Sequence, residues 1–268
     1  AGVACRGERK VMLTAVKQHG RALKFAAEPS RRDHEVVSIA VKHEPDSLEW
    51  AGDTCKEDPE LVLMAVQRQG MALEWAAWSR RNDYAIVLAA VSQNGKALQW
   101  ASGRLRADPY IVLTAVQQNG EALEYAAPNC KSDRDVVLAA ASRYGRALQW
   151  AAVELQNDRE IVLMAVSKDD RAIIWASETI CRDRQVMQVA VRWDAGMLKF
   201  AAPELLEDSS FAPEAKRSVH IIKITLLSGR HTHYACRGGV LDRTKWILPK
   251  VCGRLGISAT GKEKLVYD

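Results

Sequence analysis

A period of 25 residues constrains this chain more than any other feature. Shifted by 25, the sequence brings Asp33, Asp58, Asp83, Asp108, Asp133, Asp158, Asp183 and Asp208 into one column, with Glu8 one period earlier. Seven positions after the acid the first eight repeats carry Ala15, Ala40, Ala65, Ala90, Ala115, Ala140, Ala165 and Ala190. A ring column follows in Phe25, Trp50, Trp75, Trp100, Tyr125, Trp150, Trp175 and Phe200, and the next residue is always Ala. Eight repeats run without an insertion or deletion. Such a period marks an array in which each repeat is one supersecondary element that needs its neighbours.

Within a repeat, Asp108 suits a helix N-cap because its carboxylate can accept the unpaired amides of the first turn, and Pro109 suits the first helical position. Asp58-Pro59 repeats the device, while Glu60, Asp135 and Glu160 favour the positive end of the helix dipole. Ile111, Val112, Ala115 and Val116 fall at helical spacing. Gly120 is expected to end the helix in a left-handed conformation. A second short helix, with Ala122, Leu123, Tyr125 and Ala126 as its buried stripe, is expected to exit near Pro128. Each large apolar side chain gains roughly 1.5–3 kcal/mol on burial, against about 1–2 kcal/mol per ordered residue, so one hairpin alone should not fold. The sequence therefore predicts a mainly α chain: an α-solenoid of eight 25-residue helical hairpins over residues 1–208.

A ninth repeat opens at Asp208 but meets Pro213, and residues 209–217 read as a linker. Residues 218–268 differ in kind. Val219 to Leu227 alternates as a strand does, Ser228-Gly229-Arg230 reads as a turn, and His231 to Cys236 reads as a returning strand. Asp242 can cap a helix running to about Leu255, and Lys264 to Tyr267 reads as a third strand. This ββαβ order, with Ile222-x-Ile224-Thr225-Leu226-Leu227-Ser228-Gly229-Arg230 at its start and Lys264-Leu265-Val266-Tyr267 at its end, resembles the first two-thirds of ubiquitin-like β-grasp domains. Gly238-Gly239 is internal and is no conjugation tail.

The repeats carry D-x-x-V-V-L-x-A-x-x-x-x-G-x-A-L-x-W-A, as in Asp133 to Ala151. In this they resemble short helical repeats catalogued as a domain of unknown function, frequent in single-celled eukaryotes and some bacteria. The resemblance implies helical repeats, sometimes joined to ubiquitin-like segments, and brings no activity with it.

Composition narrows the function classes. With 48% hydrophobic and 26% charged residues, disorder is excluded as the main state, and no apolar run reaches the length of a membrane span. The opening Ala1 is expected of a trimmed product whose targeting segment, if any, lies out of view. Cys5, Cys55 and Cys130 share a column with Leu105, Leu155, Ile180 and Leu205 and read as small core residues, whereas Cys181, Cys236 and Cys252 do not. Without a C-x-x-C pair, a reducing intracellular compartment is expected, cytoplasm or organelle interior. Gly256 to Lys262 has the spacing of a phosphate-binding loop, but Glu263 stands where a magnesium ligand belongs. His231 and His233 read as an incidental pair rather than a metal site. No nucleophile–base set stands out, so neither enzyme activity nor a cofactor is expected.

What remains is surface. Trp193 occupies a column otherwise held by Gln18, His43, Arg68, Gln93, Gln118, Arg143 and Lys168, and Trp78, Tyr84, Tyr110 and Tyr144 stand where most repeats are polar or carry Pro or Gly. Rings in such places anchor protein partners. The leading expectation is a noncatalytic protein-binding scaffold or subunit of a larger complex. Single-stranded RNA binding is the alternative, against which the columns at 17, 18 and 21 show no regular code, and a ubiquitin-type adaptor rests on fold analogy. The net charge of +5 divides unevenly: residues 209–268 hold 11 Lys and Arg against 4 Asp and Glu, leaving 27 against 29 for residues 1–208. The basic tail thus reads as an attachment surface for an acidic partner or anionic membrane face.

Overall fold

The structure, a computed structural model, describes residues 9–213, 220–225 and 231–236. Residues 9–207 are mainly helical and repeat throughout. The chain divides into two compact units, Ala1–Leu155 and Gln156–Asp268.

In the first unit each complete repeat holds three helices where the sequence suggested a hairpin of two. The Asp108 repeat runs through an α-helix (Pro109–Gln118), a 3-10 helix (Gly120–Tyr125) and a four-residue α-helix (Pro128–Lys131). The Asp58 repeat does the same with Pro59–Arg68, Gly70–Trp75 and Trp78–Arg81. The 3-10 winding also corrects the expected buried stripe. Of the expected residues Ala122, Leu123 and Ala126 are buried, while Tyr125, off the line that three residues per turn draw through Gly120, Leu123 and Ala126, is only half-buried. Trp50, Trp75, Trp100 and Trp150 are half-buried likewise.

The core is the expected one on the long helices. Ile111, Val112, Ala115, Val116 and Leu123 are fully buried, as are their equivalents in the neighbouring repeats, and Cys55, Leu105 and Cys130 fill one buried column. Among the described residues every aspartate of the column that opens a long helix caps it, as where Asp108 Oδ1 accepts from the amides of Tyr110 and Ile111, both at 3.0 Å.

The glycine column has a different reason from the one expected. None of Gly20, Gly70, Gly95 and Gly120 takes a positive φ. A Cβ on Gly70 would lie 2.3 Å from the Ala90 carbonyl oxygen, and on Gly95 2.3 Å from that of Ala115. Glycine is needed because the next repeat's long helix presses a backbone carbonyl against it. A second join is the backbone bond from residue 77 to 56, repeated from 102 to 81 and from 127 to 106: Ala77 N donates to Lys56 O at 3.0 Å, Ser102 N to Arg81 O at 2.9 Å and Ala127 N to Arg106 O at 2.8 Å. These joins use main-chain atoms.

The second unit keeps the plan in the α-helix Arg159–Lys168 and the 3-10 helices Asp170–Trp175 and Ile180–Arg182, followed by Arg184–Trp193, Ala195–Phe200 and Pro203–Glu207. Its helices are tied by side chains: Arg159 Nε pairs with Asp183 Oδ2 at 2.7 Å, and Arg184 pairs with Asp208. Asp208 is more than the start of a failed repeat. Its Oδ1 accepts from the Ser210 amide at 2.8 Å, and Phe211, in the column of Ile161 and Val186, is fully buried. Phe211 is thus packed, with the Arg184 guanidinium 5.8 Å from its ring centroid, while Ser209 and Ser210 are exposed.

Two strands, β1 (His220–Thr225) and β2 (His231–Cys236), pair antiparallel from His220↔Cys236 to Thr225↔His231, the hairpin expected of this segment. The turn at 228–230, the helix from Asp242, the third strand at 264–267, the loop at 256–262, Cys5 and Cys252 lie outside the described residues, and so does the ubiquitin-like resemblance beyond this hairpin.

Candidate functional site

Four of the five rings singled out in the sequence are exposed: Trp78 and Trp193 at 72%, Tyr110 at 61% and Tyr84 at 42%. Trp193 ends its helix in the second unit. The other three stand in the first unit at helix starts, Trp78 opening Trp78–Arg81, Tyr84 opening Tyr84–Gln93, and Tyr110 following Pro109. Tyr110 is held by its amide, which donates to Asp108 Oδ1 at 3.0 Å. Desolvation raises the Tyr84 hydroxyl above its ordinary pKa, and the charge of Asp108 and the proximity of Tyr110 push the same way. Just before Tyr84, Asn82 Oδ1 accepts from Ser102 Oγ at 2.8 Å and from Arg104 Nε at 3.1 Å. Arg104 Nη2 also donates to the Asn82 carbonyl at 3.0 Å, which fixes the ground beside these rings. Gly103, in the column of Trp78, has open space where a side chain would stand.

The fifth ring sits differently. Tyr144 is half-buried and stacks on Trp150, centroids 6.3 Å apart and planes at 28°. It lines an open groove of about 600 Å³ together with Gln118, Asn119, Gly120 and Arg143. The groove lies where a ladder of side-chain bonds stops. Gln93 Oε1 accepts from the Gly70 amide at 2.5 Å, and Gln118 Oε1 from the Gly95 amide at 2.6 Å. The next member of that column is Arg143, which has no acceptor atom. Sequence reading marked none of Gln118, Asn119, Gly120 and Arg143 as a binding residue. The usable signal was the glutamine that sits 23 residues after a glycine and then gives way to arginine.

A second feature missed in the sequence is a basic column on the short helices of the first unit: Arg31, Lys56, Arg81, Arg106 and Lys131. Three of these serve the ends of the preceding 3-10 helices. Arg31 Nη2 donates to Lys24 O, Arg81 Nε to Ala76 O and Lys131 Nζ to Glu124 O, each at 2.8 Å. Burial pushes the Lys131 ammonium below its usual pKa, and Arg106 pushes the same way against Glu124.

The column of acids also has a second task. While Oδ1 caps, Oδ2 takes a basic side chain from the preceding repeat: Arg9 Nε reaches Asp33 Oδ2 at 2.7 Å, and His34 Nε2 lies 3.3 Å from Asp58 Oδ2. The hydrogen bond from Arg9 holds Asp33 below the usual carboxylate range, and the Val36 amide adds to it. Asp208 is lowered to about 2 by the Ser210 hydroxyl and amide and then by Arg184. Among the described residues no three His, Cys, Asp or Glu side chains gather as a metal site requires, and no helix is long and apolar enough to cross a membrane.

A family model described as a domain of unknown function (DUF4116) matches residues 33–79, 58–106, 108–156 and 158–206. Each match begins on an N-cap aspartate of the 25-residue column. No curated protein and no solved structure matches the chain.

Proposed function

The chain belongs to the DUF4116 family, whose description names no activity, and from that premise we propose a noncatalytic protein-binding scaffold, a subunit of a larger assembly. One observation carries the reading. Trp78, Tyr84 and Tyr110 are exposed on successive repeats, although the core columns and main-chain joins already supply what the fold needs. Rings held out on rigid helix starts are the side chains that most often dominate binding energy when a partner covers them. The basic segment 209–268 would add attachment to an acidic partner or an anionic membrane face. The test is co-purification from the native source with the Trp78→Ala/Tyr110→Ala double variant. Loss of partners that the wild type retains supports the reading, and an unchanged set of partners removes it.

Single-stranded RNA binding is the second reading, and the basic column favours it. Arg31, Lys56, Arg81, Arg106 and Lys131 recur once per repeat six residues after a ring, the pairing of cation and stacking surface that such ligands use. It ranks second because three of the five donate to backbone carbonyls. Salt-sensitive submicromolar retention of a uridine oligomer in filter binding, lost in Arg81→Ala/Arg106→Ala, would reverse the order.

A further inference from the structure

The groove beside Tyr144 holds hydrogen-bond donors that the fold leaves without acceptors. In two successive repeats a glutamine side-chain carbonyl reaches back to a buried glycine amide, from Gln93 to Gly70 and from Gln118 to Gly95. At the third step the glycine remains and the glutamine does not. Gly120 is buried, and among the described residues nothing accepts from its amide. A buried amide without an acceptor is costly, so the position favours whatever supplies an oxygen.

Arg143, which replaces the glutamine, is exposed and forms no ion pair or hydrogen bond among the described residues. Asn119 uses its Oδ1 to accept from the Glu121 amide at 3.0 Å, which leaves its NH2 group with no acceptor among the described residues. The one carboxylate of the groove, Glu121, is already paired with Lys96. The unengaged Gly120 amide, Asn119 NH2 and Arg143 guanidinium are donors, the Tyr144 hydroxyl can donate or accept, and Arg143 alone among them is charged.

We propose that this groove binds an Asp or Glu side chain from an acidic segment of a protein partner. One carboxylate oxygen takes the place of the missing glutamine carbonyl at the Gly120 amide, and Arg143 supplies the counter-charge in a charge-assisted hydrogen bond. A single unpaired cation among amide-bearing neighbours matches one carboxylate on a peptide. A polyphosphate chain would need several cations, and the covered face of Tyr144 against Trp150 offers less stacking surface than a base requires. The proposal rests on the protein-binding reading above and specifies what the partner presents.

Arg143→Gln makes a sharp test because it restores the ladder residue while removing the charge. Binding of fluorescein-labelled, N-acetylated hexaglutamate to the full chain would be followed by anisotropy, and the Gly120 amide by ¹H–¹⁵N correlation. Expected are a hexaglutamate-induced downfield shift of the Gly120 amide, no such shift with hexaglutamine, at least a tenfold affinity loss in Arg143→Gln with a thermal midpoint no lower than that of the wild type, and retention within threefold in Arg143→Lys. Equal affinity in Arg143→Gln, or a Gly120 amide that does not respond at saturation, overturns the proposal. So does a uridine oligomer that displaces the peptide with higher affinity. The two readings fail separately: if the ring variants keep their partners while Arg143→Gln loses hexaglutamate, the ring surface is wrong and the groove stands. If the ring variants release partners and Arg143→Gln binds as wild type, only the groove is wrong.

Discussion

The two compact units use one repeat and fasten it in different ways. In Ala1–Leu155, Gly20, Gly70, Gly95 and Gly120 let a neighbouring carbonyl approach so closely that a methyl group would collide with it. In Gln156–Asp268 the same column carries Asp170 and Ala195, while the main-chain join continues from Ser177 N to Gln156 O and from Ala202 N to Cys181 O, beside the pairs Arg159–Asp183 and Arg184–Asp208. The basic column of the first unit also stops there, since Gln156 and Cys181 follow Lys131. Both units carry exposed ion pairs across repeat boundaries, which respond to salt and pH, whereas the close fit at glycine, which responds to neither, is found in the first unit.

The largest effect that would sharpen this contrast is expected at the packed end of the second unit. Phe211→Ala should cost about 3 kcal/mol, because a fully buried ring is removed from a site that cannot collapse completely, and urea unfolding would read it. Gly95→Ala should follow at about 1–3 kcal/mol, since its Cβ would stand 2.3 Å from the Ala115 carbonyl oxygen. Ala195→Gly, the reverse change in the other unit, should cost at most about 1 kcal/mol. If the two substitutions weigh the same, the contrast between the units is broken.

Acid should act through the tied carboxylates. Asp33 and Asp208 have folded pKa values below their unfolded ones, the latter about 2, so their contribution is complete above the unfolded value near 4. It is lost as pH falls from there towards 2, because the unfolded chain takes up protons first. For Asp183, burial alone would raise the pKa, but the Arg159 hydrogen bond and the amide bonds of the cap prevail and lower it. Thermal midpoints between pH 6 and pH 2 should therefore fall, and Asp208→Asn should flatten the curve. The smallest effect is expected of Arg159→Met, no more than about 1 kcal/mol and absent at high salt, as for other exposed pairs.

How much of this was legible in the sequence follows from the range of each interaction. Asp108, Pro109 and the spacing of Ile111, Val112, Ala115 and Val116 announce a capped amphipathic helix because cap and stripe lie within one helix. Trp78, Tyr84 and Tyr110 were legible as outward rings because they break polar columns. Tyr144 broke a column as well, yet half its surface is taken by packing that includes Trp150. The same glycine column can serve a left-handed cap or a close approach, and only the carbonyl facing it tells them apart.

The sequence by itself determined the period, the helix starts, the core columns and the family, since all of these repeat along the chain and need only local rules. Tertiary structure decided the 3-10 winding that lifts the rings half out of the core, the double duty of the cap aspartates and the reason for the glycines. It also decided where the glutamine ladder stops and a groove opens. These depend on atoms of residues some 20 to 26 positions apart meeting across a repeat boundary, where distance and direction rather than residue type set the interaction.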